Sequence, residues 1–148
     1  MKVKDCMSQN VYCVKPETTI KDVAKLMCQN HIGCIPVCDN TNNICGIITD
    51  RDIILRGIAC DKDTNKTPIS EIMTCNVCTC KETDDMENAE ILMSKNQIRR
   101  LPVCDNNNKV IGILTLANLT ENKKDLGIEE ICETIENICD CNNNKNAE

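Results

Sequence analysis

The sequence predicts a mixed α/β (α+β) fold of two β-α-β-β-α units followed by one added amphipathic helix. Three observations predict it. The chain repeats itself at a step of 66 residues, from Thr49 to Thr115. Each repeat carries apolar residues at helical spacing, and each then carries two short apolar runs separated by an Asn-rich stretch. Residues 3–53 align with 69–119 without a gap: Met7 falls on Met73, Leu26 and Met27 on Leu92 and Met93, and Ile32 on Ile98. The segment from Pro36 to Asn40 recurs unchanged from Pro102 to Asn106. A match of that length marks the duplication of one folding unit.

The elements follow in order. Residues 11–14 form a β-prone run that leads through Pro16 to Thr19, a helix cap with Asp22 three residues on. Ile20, Val23, Ala24 and Met27 then recur at helical spacing, as do Met86, Ala89, Leu92 and Met93 in the second copy. His31, the sole histidine, ends the first of these helices. Gln97 stands in its place in the second copy, and no Ser–His–Asp or Cys–His signature is present for His31 to join. The apolar runs 35–38 and 44–48 flank DNTNN and predict a hairpin, repeated as DNNNK before VIGIL. A further helix starts near Asp50 and again near Leu116. The chain thus divides into a first repeat (1–59), a polar linker (60–68), a second repeat (69–121) and a C-terminal segment (122–148). In that last segment Ile128, Ile131, Cys132, Ile135, Ile138 and Cys139 make an apolar stripe, with Glu129, Glu130, Glu133 and Glu136 off it. A helix of about three turns is marginal alone, so it is expected to dock on the module, on a second subunit or on a partner. The final CNNNKNAE is expected to fray.

Composition narrows the function. A chain of 148 residues suits one compact domain or two intimately packed halves. Without Phe or Trp, and with Tyr12 as the one tyrosine, the core has to be aliphatic. A formal charge of −6 and an aromatic content of 1% supply neither phosphate attraction nor base stacking, so no nucleic-acid partner is expected. MKVKDCMSQN lacks the apolar run of a signal peptide, and no stretch approaches the ~18 apolar residues of a membrane span. The reading is cytoplasmic, without membrane association. In a reducing compartment the 14 cysteines are expected to be mostly thiols. In IPVC (35–38) and LPVC (101–104) Cys stands where a small hydrophobe belongs. Cys78 with Cys80, and Cys132 with Cys139 and Cys141, are the groups a metal site could draw on. Neither supplies two C-x-x-C pairs, and no metal is expected.

GIITDRDI (46–53) and GILTLANL (112–119) are each preceded by an apolar-Pro-Val run and a polar turn, HIGCIPVCD and QIRRLPVCD. With MSQNVYCV and MTCNVCTC upstream, the sequence resembles the CBS-motif family, whose tandem pairs are called Bateman modules, over residues 1–121. The resemblance implies a pseudo-two-fold pair of units with two clefts that take AMP, ADP, ATP or S-adenosyl ligands, assembled as a homodimer. The residues suit that chemistry. Gly46 removes a side chain where a ligand would approach, the Thr49 hydroxyl can bond a ribose or phosphate oxygen, and the Asp52 carboxylate offers two acceptors to the two hydroxyls of a ribose.

In the resemblance each cleft takes Thr and Asp from one repeat and its base-lining residues from the other. Site one then combines Ile47, Thr49 and Asp52 with Val77, Cys78 and Ile98, and places Arg99 and Arg100 near phosphates, where a guanidinium forms bidentate pairs. Site two combines Ile113, Thr115 and Asn118 with Val11, Tyr12 and Ile32, and Gly33 leaves space close by. Asn118 replaces the carboxylate, which weakens a ribose bond by ~1 kcal/mol or more and makes site two the weaker. Other readings stay open: Thr49 and Asp52 as a helix cap only, Arg99 and Arg100 as solvated charges after a helix. The expected function is a regulatory ligand sensor that needs no cofactor and acts on an unidentified protein target. The alternatives are an interaction module with empty clefts working through its C-terminal helix, and a metal or thiol-redox protein. No motif places a thiolate beside a general base, so no enzyme activity is expected.

Overall fold

The computed structural model describes residues 1–140. Along the chain run α1 (Val3–Cys6), α2 (Ile20–Asn30), β1 (Cys34–Cys38), β2 (Ile44–Thr49), α3 (Asp50–Asp52) with a π-helical continuation (Ile53–Ile58), and a 3-10 turn (Ile69–Glu71). There follow β3 (Cys80–Lys81), α4 (Met86–Asn96), β4 (Arg100–Cys104), β5 (Val110–Thr115), α5 (Leu116–Glu121), α6 (Lys123–Leu126) and α7 (Ile128–Cys139). The fold is mixed α+β with two small sheets, β1-β2 and β3-β4-β5. The fraying expected of CNNNKNAE falls on residues 141–148, outside the described residues.

The chain forms two compact units whose segments cross the repeat boundaries. One is Val11–Val77 with Asn107–Val110; the other gathers Met1–Asn10, Cys78–Asn106 and the residues from Ile111 onward. The opening segment of each repeat therefore packs on the body of the other. The bonds that fix it match at the repeat step: Ile47 and Thr74 exchange two backbone bonds of 2.9 Å, and Ser8 and Ile113 exchange two of 3.0 Å. Gly46 and Gly112 permit this approach. A Cβ at Gly46 would stand 2.5 Å from Met73 Sδ, and one at Gly112 would stand 2.9 Å from the Ser8 carbonyl oxygen. The space left by the missing Gly46 side chain is taken up by Met73.

In the unit of residues 11–77, Thr19 caps α2 as the sequence predicts, its Oγ1 accepting from the Asp22 N–H at 3.3 Å. Two further N–H groups at that helix start donate to the linker, Ile20 to Thr67 O and Lys21 to Thr64 O. His31 closes the helix in the left-handed region, with φ 53°. β1 and β2 pair antiparallel, Cys34 opposite Thr49 and Val37 opposite Gly46, with an irregularity before Cys38. At the turn between them, Asp39 Oδ1 accepts from the Thr41 N–H at 2.8 Å and from the Asn43 N–H at 3.0 Å. The strand expected over residues 11–14 contracts to one parallel bridge, Val14 to Val37, where the Val14 N–H donates to Pro36 O and its carbonyl accepts the Cys38 N–H, while Tyr12 and Cys13 are exposed. Ile20, Val23, Met27, Ile35, Val37, Ile48, Ile53, Ile69 and Ile72 form the core, aliphatic throughout.

The other unit buries Val3, Met86, Ala89, Met93, Leu101, Val103, Leu114 and Leu119, and α7 adds Ile131 and Ile138 to them. Of the three docking places left open for this helix, the structure shows the module itself. The buried line runs through Ile131, Thr134 and Ile138, with Ile135 beside it. Cys132 and Cys139, counted in the stripe by spacing, are exposed, because each lies one residue, or about 100°, around the helix from that line. Ile128 is 65% exposed. Gln97 Nε2 donates to the carbonyls of Asn137 and Asp140, so the C-terminal ends of α4 and α7 lie together.

Gly127 launches α7 at φ 93°, ψ 134°, a conformation that side chains oppose. Gly127→Ala is expected to cost on the order of 1–3 kcal/mol through backbone strain, read as a lower urea midpoint at unchanged slope. An unchanged midpoint would show that α7 starts equally well from another backbone geometry.

Candidate functional site

The residues that the sequence assigns to ligand binding fall into two sets, one in each unit. In the unit of residues 11–77, Thr49 ends β2 and caps α3. Its Oγ1 accepts from the Asp52 N–H at 3.1 Å, and Asp52 Oδ2 accepts from the Thr49 N–H at 3.0 Å. This reciprocal capping arises because Thr and Asp three residues apart bring each side chain to the other's backbone. The capping role considered for this pair is therefore present. It leaves two groups over: the Thr49 hydroxyl proton, since Thr49 Oγ1 serves the cap as an acceptor, and Asp52 Oδ1, which Arg56 Nη1 approaches only to 3.9 Å. The Asp52 side chain keeps 12% of its surface exposed. Ile47 is partly exposed and held by Thr74, and Gly33 accepts the Asp50 N–H at 3.0 Å through its carbonyl.

The other unit builds the same turn differently. Thr115 Oγ1 accepts from the Asn118 N–H at 3.3 Å, and Asn118 Oδ1 accepts from both the Thr115 N–H and the Thr115 hydroxyl, each at 2.9 Å. Asn118 Nδ2 then donates to Ser8 Oγ at 3.1 Å, and the side chain is buried. The hydroxyl is consumed internally, and the amide spends its oxygen and one N–H there. A carboxylate gives an acceptor at both oxygens, whereas an amide gives an acceptor and a donor, so Asn118 binds inward to Ser8 where Asp52 has only Arg56 at long range.

Of the other site candidates, Val11, Tyr12, Ile32 and Val77 belong to the first of these units, with Tyr12 43% exposed. Cys78, Ile98, Arg99, Arg100 and Ile113 belong to the second. Ile98 and Cys78 are half-buried against its core, and Arg99 and Arg100 are exposed. The Arg99 carbonyl accepts the Leu116 N–H at 3.3 Å, repeating the Gly33 to Asp50 bond of the first copy. Sequence reasoning missed Arg56 and Ser8. The first was readable as an i,i+4 partner of Asp52; the second stands 110 residues from Asn118 and carries no local signal.

At several cysteines the surroundings oppose thiolate formation. Burial raises the Cys78 thiol, and burial foremost pushes Cys38 and Cys80 up to about 12. A reactive cysteine requires the opposite shift. Cys38 and Cys104 are buried in β1 and β4 as the small hydrophobes that IPVC and LPVC suggest. Among the described residues no group of three His, Cys, Asp or Glu is placed to hold a metal ion, and no helix is long and apolar enough to cross a membrane.

The CBS domain family model matches residues 3–58 and 69–125. A CBS domain-containing protein of Bacillus subtilis, YhcV, is 41% identical over 121 residues, covering 82% of this chain and 84% of its own length. Two solved structures are similar. The CBS domain pair of protein MJ0100, in complex with 5-methylthioadenosine and S-adenosyl-L-methionine, has a TM-score of 0.72 at 33% identity, covering 82% of this chain and 98% of its own. CBSX2 in complex with AMP has a TM-score of 0.72 at 28% identity, covering 84% and 97%.

Proposed function

This chain belongs to the CBS domain family, and we propose that it is a regulatory module sensing an adenine nucleotide (AMP, ADP or ATP) or an S-adenosyl compound, catalysing no reaction itself. One observation carries the reading: Thr49 keeps a hydroxyl proton and Asp52 an oxygen beyond what the cap uses, as a donor and an acceptor for ribose hydroxyls require. The ligands of the two similar structures support the class, since AMP and the S-adenosyl compounds share an adenosine. In this proposal Ile47, Val77, Cys78 and Ile98 line the base of site one, and Arg99 with Arg100 meets phosphates. Site two, with Val11, Tyr12, Ile32, Gly33, Ile113, Thr115 and Asn118, is the weaker, because a ribose there competes with bonds already made inside the Thr115–Asn118–Ser8 turn.

Assembly as a cytoplasmic homodimer belongs to the same proposal. Ile54, Leu55 and Ile58 leave about half of their surface open, supplying apolar area of the kind a two-fold contact covers.

The test is thermal unfolding with AMP, ADP, ATP, S-adenosylmethionine and 5-methylthioadenosine, joined to native mass spectrometry of the same protein. A ligand at about 100 times its Kd stabilises by roughly 2.7 kcal/mol, a shift of several degrees for a chain of this size. No shift with any of the five at millimolar concentration would reject the ligand reading, and a monomer at every concentration would reject the dimer.

A further inference from the structure

Apart from the Thr49 and Thr115 turns, α4 and α7 enclose a cleft of about 820 Å³ within their own unit. Four carboxylates line it, Glu87 and Glu90 from α4 and Glu130 and Glu133 from α7, with Lys95 as the cation on its wall. Glu87 and Glu130 sit in the first turns of their helices, where a negative charge is favourable without any ligand. Glu90 is different. It is only 8% exposed, and its Oε1 is buried with no hydrogen-bond partner. A buried polar atom without a partner costs free energy that a bound donor would return.

We propose that this cleft binds a linear aliphatic polyamine, one ammonium group engaging Glu90 and others reaching Glu130 and Glu133. The shape of the site selects this class over a metal ion. A bare divalent cation needs several carboxylates converging on one point, and among the described residues no such group exists. Acidic groups distributed along two helices match a ligand whose charges are distributed along a chain. The exposed Ile91 side chain on the same wall offers apolar contact to the intervening methylenes. Burial foremost, then Glu130 and Glu87, raises the Glu90 pKa, so an ammonium arriving there replaces a missing counter-charge. The proposal is independent of the adenosine site.

The experiment is calorimetric titration of the full chain with spermidine at about 0.15 M salt, where diffuse attraction to an acidic protein is largely screened. Glu90→Gln keeps the shape of the side chain and is expected to weaken spermidine binding about tenfold or more. Glu129→Gln, which removes the same charge from α7 outside the cleft, is expected to change it by less than about twofold. Glu133→Gln, at an exposed position, is expected to weaken binding by roughly threefold and gives a second reading if Glu90→Gln fails to fold. The urea midpoint serves as the control for folding and is expected to stay near that of the parent in Glu129→Gln and Glu133→Gln, both at exposed positions. Absence of spermidine binding, equal losses in Glu90→Gln and Glu129→Gln, or tighter binding of magnesium lost in Glu90→Gln would each overturn the polyamine assignment.

Discussion

Asp52→Ala is expected to weaken adenosine-ligand binding by about tenfold to a hundredfold, the equivalent of the ~1.5–3 kcal/mol carried by hydrogen bonds to a charged group. Asn118→Ala is expected to change the same affinity by no more than about twofold, because Asn118 already bonds to Thr115 and Ser8 and has less to offer a ribose. Asp52 also accepts the Thr49 N–H at 3.0 Å, so the alanine variant loses part of its cap and a fraction of its stability. Asp52→Asn separates the two contributions. It keeps an acceptor for the cap and reproduces the residue pair of the second repeat, in which the threonine hydroxyl turns inward to the amide. Stability should then stay near that of the parent while affinity falls. Calorimetry with AMP and urea unfolding on the three variants read both quantities, and a greater loss of affinity in Asn118→Ala than in Asp52→Ala would reverse the assignment of the stronger site.

What was legible in the sequence was whatever depends on neighbours within a turn. The Thr19–Asp22, Thr49–Asp52 and Thr115–Asn118 caps are three-residue spacings, and His31 and Gln97 end their helices at matching places in the two copies. The fold class followed from these and from the repeat. What escaped depends on residues far apart in the chain. Nothing local says that Met73 fills the space over Gly46, or that Ser8 satisfies Asn118, since each contact needs the opening segment of one repeat to reach the body of the other. The alignment that pairs Ser8 with Thr74 shows these positions to be equivalent but not where either points. The same limit explains the α7 stripe: spacing defines an apolar sector, and only packing on α4 decides that Ile131 and Ile138 sit at its centre while Cys132 and Cys139 fall outside it.

Ile138→Ala is expected to destabilise the protein by about 2–5 kcal/mol, the range for emptying a buried branched aliphatic position. The side chain is 4% exposed and belongs to the same core as Met93, Leu101 and Leu119, so its removal leaves a cavity in the unit that holds α4. Ile128, on the same helix but 65% exposed, supplies the control, and Ile128→Ala should stay within about 0.5 kcal/mol of the parent. A loss of that size moves the thermal midpoint by several degrees in a chain of this length, well above the error of a melting experiment. The helix cannot retain its position by propensity alone, since three turns are marginal in water without tertiary support. Weakening the dock should therefore also raise proteolysis within residues 128–139 in proportion to the lost stability. Urea unfolding of the two variants, with limited proteolysis of each, decides the matter. If Ile138→Ala costs no more than Ile128→Ala, α7 does not hold to α4 in solution, and its apolar face is open to a second copy or to a partner.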